Sequence, residues 1–200
     1  PPRMLSIIKS LHESMEVKVR IEGGVTAAIN VNNGLRQCCT LAPVLFNLYF
    51  SAVVGYWRSM CPDAGVELHY RVGRKLVGDR TAKSRLQRDV VTESQFADDA
   101  AVYATTKPIF DRCTELFISC AARWGLTVSL SKTKCMTVNS PMNEPVSLGE
   151  STIEAVDSFT YLGSVIHRDG QSSHDVQSRL AKASRVFGSL RVPVFENRSL

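Results

Sequence analysis

Apolar residues recur at helical spacing in four stretches of this chain and at two-residue spacing in several others. Met4, Leu5, Ile7, Ile8 and Leu11 predict a short helix over residues 4 to 12. Val17-Lys18-Val19-Arg20-Ile21 alternates apolar and basic, and Gly23-Gly24 turns it back into Val25 to Val31, the pattern of a hairpin. Pro43 opens an apolar helix through Val54; proline suits a first turn because its missing N–H has no partner there. Residues 61 to 92 are more polar, with one expected strand at Val66-Leu68-Tyr70. From Pro108, the positions Ile109, Cys113, Leu116, Phe117, Cys120 and Trp124 keep to one helical face until Gly125 ends it. Leu126-Val128-Leu130 and Cys135 to Val138 predict a further hairpin around Ser131 to Lys134, and Asn139 to Glu150 reads as loop. Phe159 to Ile166 is an expected strand, Asp169-Gly170 a turn, and Asp175 to Leu190 a final amphipathic helix. Strands interrupted by helices and hairpins give an α+β domain without internal repeats.

One interruption of the pattern carries chemistry. In Phe96-Ala97-Asp98-Asp99-Ala100-Ala101-Val102-Tyr103 two adjacent carboxylates divide two apolar runs, which predicts strands joined by an acidic turn. Like charges side by side are unfavourable unless a cation holds them. Mg²⁺ takes one or two carboxylates plus substrate phosphates, so Asp98 and Asp99 are candidate metal ligands for phosphoryl or nucleotidyl transfer. At least one of them is expected to face an open, polar cleft. The alternative for the pair in isolation is ordinary turn chemistry, where aspartate is favoured.

Composition adjusts this picture only slightly. With 200 residues and 44% hydrophobic content, the chain can build a sizeable core, and wholesale disorder is excluded. The net charge of +5 suits a polyanionic partner without requiring one. Cys38, Cys39, Cys61, Cys113, Cys120 and Cys135 show no C-x-x-C spacing and no nearby histidine cluster; free, mostly buried thiols are expected, and zinc is not. No secretory leader and no bilayer-length apolar run is visible, so the expectation is a soluble, intracellular protein with no membrane partner, nuclear or cytoplasmic.

Four segments together go further. Gly34-Leu35-Arg36-Gln37-Cys38-Cys39-Thr40-Leu41-Ala42-Pro43-Val44-Leu45-Phe46-Asn47-Leu48-Tyr49 resembles the G-x-R-Q-G-C-x-L-S-P-x-L-F-N-x-Y segment of non-LTR (LINE-type) retrotransposon reverse transcriptases. Phe96-Ala97-Asp98-Asp99 resembles their Y/F-A-D-D metal motif. Gly125-Leu126-Thr127-Val128-Ser129-Leu130-Ser131-Lys132-Thr133-Lys134 is similar to their G-L-x-[IV]-N-x-x-K-T segment, and Phe159-Thr160-Tyr161-Leu162-Gly163-Ser164 to their Y-L-G primer-grip hairpin. The order along the chain is also the family's.

The resemblance implies a palm-type reverse transcriptase core, an antiparallel sheet with packed helices. Residues 1–166 would be partial fingers and palm, and residues 167–200 the connection to the thumb. It implies RNA-templated DNA synthesis, with an RNA template, a DNA primer and dNTPs as partners and Mg²⁺ (or Mn²⁺) as cofactor. Asp98 and Asp99 would hold the metal. Arg36, Gln37, Phe96 and Ala97 would contact nucleotide or template. Lys132 would assist pyrophosphate departure, and Tyr161, Leu162 and Gly163 would hold the primer end.

Each of these has a plainer reading. Arg36 and Gln37 could belong to a polar loop that satisfies its own backbone, Lys132 to a solvated turn, and Tyr161-Leu162-Gly163 to an edge hairpin. Two basic sets, Arg71 to Arg88 (Arg71, Arg74, Lys75, Arg80, Lys83, Arg85, Arg88) and Arg179, Lys182 and Arg185, could be solvated faces or phosphate contacts.

Two-metal transfer needs carboxylates from separate elements, and the family places a further aspartate on a strand upstream of the G-x-R-Q loop. Here Glu13 and Glu16 are expected in or just after the first helix and Glu22 at the end of a strand, so no acid before Gly34 is expected on a strand. The chain is therefore expected to be an amino-terminally truncated piece, inactive by itself. Cys38 for glycine, Thr40 for proline, Ala42 for serine and Ser129 for asparagine depart from the family pattern. They keep open the alternative of a catalytically silent nucleic-acid-binding remnant of a decayed element. A phosphoacceptor receiver domain would need an early acidic pair and parallel βα repeats, and is rejected.

Overall fold

The computed structural model describes residues 2–36, 39–72 and 85–195. Its contacts divide the chain into two units, Pro1–Cys120 and Ala121–Leu200.

In the first unit, α1 (Pro2–His12) gives way at Ser14, whose φ of 55° turns the chain into a strand. Strand β1 (Met15–Val17) pairs antiparallel with β4 (Ile29–Val31), and β2 (Arg20–Ile21) with β3 (Gly24–Val25). The expected hairpin is present, but its register slips once: Lys18-Val19 faces Thr26-Ala27-Ala28, one residue more on the returning strand. The Thr26 amide donates to the Val19 carbonyl (3.0 Å), and the Val19 amide to Thr26 Oγ1 (3.0 Å), which closes the bulge. Glu16 lies on β1, opposite Asn30. This corrects the expectation that no upstream acid stands on a strand: α1 ends at His12, as expected, but the turn at Ser14 starts the strand at Met15, two residues before Val17.

Helix α2 (Ala42–Met60) carries proline in its first turn, as expected, and runs past Val54. Gly55 in mid-helix costs about 1 kcal/mol. Continuing the helix buries Trp57 completely, and truncating such a residue typically costs about 3–5 kcal/mol, so burial wins. The partner is α3 (Lys107–Arg123). Trp57 Nε1 donates to the Cys113 carbonyl at 2.9 Å. Phe117 meets Trp57 edge-on (5.6 Å, 84°) and Phe50 likewise (6.5 Å, 87°). Cys61, Cys113 and Cys120 fill the remaining space as free thiols. Burial, and then a hydrogen bond with Cys113, pushes the Cys61 thiol up to about 12, so it stays protonated.

Between these helices lie two antiparallel ladders. Strand β5 (Val66–Val72) pairs with β6 (Arg85–Val91), and β7 (Glu93–Phe96) with β8 (Asp99–Val102). The β6 strand was hidden in sequence by its charged residues, and Thr92 separates it from β7.

The second unit begins with the end of α3. The Leu126 amide bonds to the Ala121 carbonyl (2.8 Å) and the Gly125 amide to that of Ala122 (3.0 Å), with Gly125 at φ +75°. This is a Schellman cap. Leu126, Val128 and Leu130 are more covered than their neighbours, yet no ladder forms there and the expected hairpin is absent. Alternation needs only two faces, whereas a strand needs a partner. The partner, β9 (Lys134–Cys135), pairs instead with β11 (Ser151–Ala155) in parallel. On its other side β11 pairs with β10 (Val146–Leu148), inside the stretch expected to be loop. Val146 and Ile153 face each other there, fully buried. Phe159 to Ile166 is two strands, β12 (Ser158–Tyr161) and β13 (Ser164–His167), and α4 (Ser173–Leu190) follows. The architecture is mixed helix and strand, with small and mostly antiparallel sheets among the described residues.

Candidate active site

The β7–β8 ladder closes as tightly as a hairpin can. Phe96 pairs with Asp99, which leaves Ala97 and Asp98 as a two-residue loop. Ala97 takes φ 53° and Asp98 does not share the positive sign, the sign pattern of a type II′ turn. A non-glycine residue at that φ costs about 1 kcal/mol, and glycine would be the cheaper choice. Asp98 and Asp99 are both exposed at this tip, as are Phe96 and Ala97.

The base of the hairpin is fastened on three sides. Glu93, its side chain only 3% exposed, accepts from both Arg58 Nε (2.9 Å) and the neighbouring guanidinium nitrogen, and from the Thr92 hydroxyl. The Ser94 and Tyr103 hydroxyls are 2.8 Å apart. The Tyr103 amide donates to the Thr92 carbonyl (2.9 Å) and the Gly65 amide to the Tyr103 carbonyl (2.8 Å). Gly65 sits at φ +114°, where a β-carbon would lie 2.7 Å from Val90 Cγ1. Only glycine allows that approach.

A cleft of about 490 Å³ runs between the first half of α2 and the outgoing strand. Pro43, Phe46, Asn47 and Ser51 form one wall, and Gln95, Phe96 and Ala97 the other. Its volume is in the range of ligand sites, about 300–1,000 Å³. Two of the segments singled out in sequence thus meet. The cleft is not the one expected, however. Asp98 and Asp99 do not line it, because the helix meets the hairpin only as far as Ala97, and much of the lining is apolar.

Arg36 is exposed in the approach to α2, its carbonyl accepting from the Cys39 amide (3.2 Å), and it too does not line the cleft. Gln37, Cys38, Arg74, Lys75, Arg80 and Lys83 lie outside the described residues. Arg71 and Arg88 stand exposed on the β5–β6 ladder, Arg88 Nη1 4.0 Å from Glu67 Oε1.

The remaining candidates belong to the second unit. Lys132 is exposed in a turn whose backbone is tied by its own amide and that of Thr133 to the Ser129 carbonyl (3.1 and 3.0 Å). Tyr161 pairs with Ser164, so Leu162-Gly163 is another two-residue loop, here with φ positive at both positions (50° and 81°), the mark of a type I′ turn. Helix α4 grips this hairpin: Asp175 accepts from the Val165 amide (2.8 Å) and from Arg179 Nε (2.7 Å), and Arg179 also donates to Ser164 Oγ (2.9 Å). Of the three cations expected on α4 as a phosphate-facing set, Arg179 is thus engaged within the protein. Arg179 first, and then the Val165 amide, hold the Asp175 carboxyl below its ordinary value.

One cluster escaped the sequence reading altogether. His167, Asp169 and His174 come together at the turn into α4. The spacing H-x-D-x-x-x-x-H is its only signal in the sequence. Asp169, whose carboxyl accepts from the Gln171 amide and from both imidazoles, is lowered to about 2.

Against these geometries, a family model described as reverse transcriptase (RNA-dependent DNA polymerase) matches residues 1–166. No curated protein and no solved structure matches the chain.

Proposed function

The chain belongs to the reverse transcriptase (RNA-dependent DNA polymerase) family, and from that premise we propose that the β7–β8 tip is its metal- and nucleotide-binding point. The family implies RNA-directed DNA polymerase activity in general, with RNA template, DNA primer and dNTP as partners and a divalent metal ion as helper. The observation that carries the residue assignment is the hairpin itself: two adjacent exposed carboxylates at a strained two-residue loop, on a ladder clamped at its base. Ionised oxygen donors on a rigid support suit a hard cation such as Mg²⁺ or Mn²⁺. Such an ion, when bound, offsets the charge that develops on transferring phosphoryl oxygens.

In this reading the cleft between α2 and β7 takes the nucleotide, with Phe96 and Ala97 on one side and Arg36 and Gln37 on the approach. Lys132 serves the triphosphate, and Tyr161-Leu162-Gly163 the primer end. The order and wording of the four motifs support the finer reading of a non-LTR retrotransposon enzyme. No helix among the described residues is long and apolar enough to cross a membrane.

A second reading has its own support. Among the described residues, no third Asp, Glu, His or Cys joins Asp98 and Asp99 in a ligand cluster. Residues 1–200 alone are then expected to bind template–primer without extending it, as a catalytically silent nucleic-acid-binding module would.

The test is dNTP affinity for the protein–template–primer complex in Mg²⁺, with primer extension followed in parallel. Replacing Asp98 and Asp99 by asparagine should weaken dNTP binding by about tenfold or more, since charge-assisted contacts are worth roughly 1.5–3 kcal/mol each. Unchanged dNTP affinity in the double variant contradicts the assignment.

A further inference from the structure

The two walls of the cleft between α2 and β7 are tied to each other at one end. Asn47, Ser51 and Arg58 recur at spacings of four and seven, so they share one face of α2. Glu93 and Gln95, two residues apart, share one face of β7. Asn47 and Ser51 line the cleft opposite Gln95. Val54, between Ser51 and Arg58 on the same helical face, is buried and does not line the cleft, so the space closes there. Beyond it Arg58 meets Glu93, about 10 Å along the helix from Ser51 and about 7 Å along the strand from Gln95.

This tie holds a geometry more than it adds stability. Glu93 Oε2 accepts from Arg58 Nε (2.9 Å) and Oε1 from a second guanidinium nitrogen, a fork that fixes direction as well as distance. The Thr92 hydroxyl donates to the same carboxylate and holds it from the strand side. The Glu93 side chain is covered, whereas Arg58 stands largely in water. Such a half-solvated pair contributes little to folding. Removing the arginine, however, leaves a covered carboxylate without its counter-charge. That carboxylate regains water only by moving, and β7 carries the Gln95 and Phe96 wall with it.

We propose that Arg58 and Glu93 are positioning residues for the nucleotide: their forked pair sets the spacing between α2 and β7, and with it the fit of the cleft to a dNTP. The inference rests on the polymerase reading of the cleft, and adds to it two residues that touch neither metal nor nucleotide. It also divides the site in two. Asp98 and Asp99 do not line the cleft, so an ion held at the tip depends on the clamp much less than a nucleotide between the walls does.

The experiment measures two affinities on residues 1–200 bound to template–primer, for Mn²⁺ without nucleotide and for dNTP in Mg²⁺. Arg58→Ala should weaken dNTP binding by about tenfold, given that a misplacement of about 1 Å can cost about a hundredfold in rate. It should leave Mn²⁺ affinity within about twofold. Glu93→Gln, which keeps the shape and one acceptor oxygen, should stay within about threefold of the parent for dNTP. Arg58→Lys keeps the charge but loses the fork, so it should fall between the two, and it carries the same test if Arg58→Ala does not fold. The reference is Asp98→Asn combined with Asp99→Asn. If the reference loses dNTP binding while the Arg58 variants bind dNTP as the parent does, this inference alone is overturned. Equal losses of Mn²⁺ and dNTP affinity in the Arg58 variants also overturn it, because the pair would then support the fold as a whole. If the reference binds dNTP like the parent, the polymerase reading of the tip fails, and the clamp's role falls with it.

Discussion

The β7–β8 and β12–β13 hairpins are built alike and held differently. Each pairs four residues with four, closes in a two-residue loop, and places a non-glycine residue at positive φ, Ala97 in one and Leu162 in the other. The first is clamped at its base, by Arg58 on Glu93, by Tyr103 on Ser94 and by the close approach of Gly65. Its acidic tip carries none of these clamps. The second is gripped next to its loop, where α4 reaches Ser164 and Val165 through Arg179 and Asp175. Clamping the base presents the tip to a ligand; clamping beside the loop fixes the loop itself. The first design suits side chains offered to a ligand, the role proposed above for Asp98 and Asp99. The second suits a backbone loop that serves as a positioning surface.

Four substitutions test this difference, the most damaging first. Gly65→Ala places a β-carbon against Val90 and Thr92 at a φ reserved for glycine, and should cost about 2–4 kcal/mol, combining overpacking with backbone strain. Chemical denaturation would measure the loss. Amide exchange should quicken in β7 and β8 while β12 and β13 stay protected; a uniform rise in both hairpins would dissolve the distinction. Glu93→Ala removes the base ion pair, and because Arg58 is 57% exposed the loss should be only about 1 kcal/mol.

Asp175→Ala attacks the other design. The Val165 amide loses its acceptor, so its exchange should accelerate while that of Asp99 does not change. The pH dependence follows from the sign of the shift. The Asp175 carboxyl is lowered in the folded protein, so its grip is complete above the ordinary carboxyl value of 3.8 and weakens as pH falls below it. Val165 protection that is flat across the acid range would contradict this. The smallest effect is a gain: Leu162→Asn creates the Asn-Gly pair that type I′ turns prefer, and should stabilise the protein by about 0.5 kcal/mol in thermal melts.

Helices were more legible in the sequence than sheets, for a physical reason. A helix bonds to itself, so the apolar faces of residues 43–54 and 108–124 announce it locally. Here only the ends of the helices moved, that of α2 because Trp57 rewards a longer helix. A strand is defined by a partner elsewhere in the chain. Leu126-Val128-Leu130 alternates without a partner, whereas Val146–Leu148 reads as loop and finds one in β11. The Asp98–Asp99 hairpin was legible because its loop and both its strands are contiguous. The base clamp was not, since Arg58, Gly65 and Glu93 are brought together only by folding. Glu16 was misplaced for want of any signal that Ser14 would turn the chain. His167, Asp169 and His174 are close in sequence, but their meeting depends on where β13 ends and α4 begins.

Paramagnetic broadening by Mn²⁺ reports where the divalent ion proposed for Asp98 and Asp99 sits. In the presence of dNTP, Mn²⁺ should broaden the amide resonances of Gln95 to Ala100, and those of Asn47 and Ser51 across the cleft. Replacing both aspartates by asparagine should abolish it. Broadening at these amides that survives the double substitution, or that is confined to the His167–His174 turn, would contradict the account.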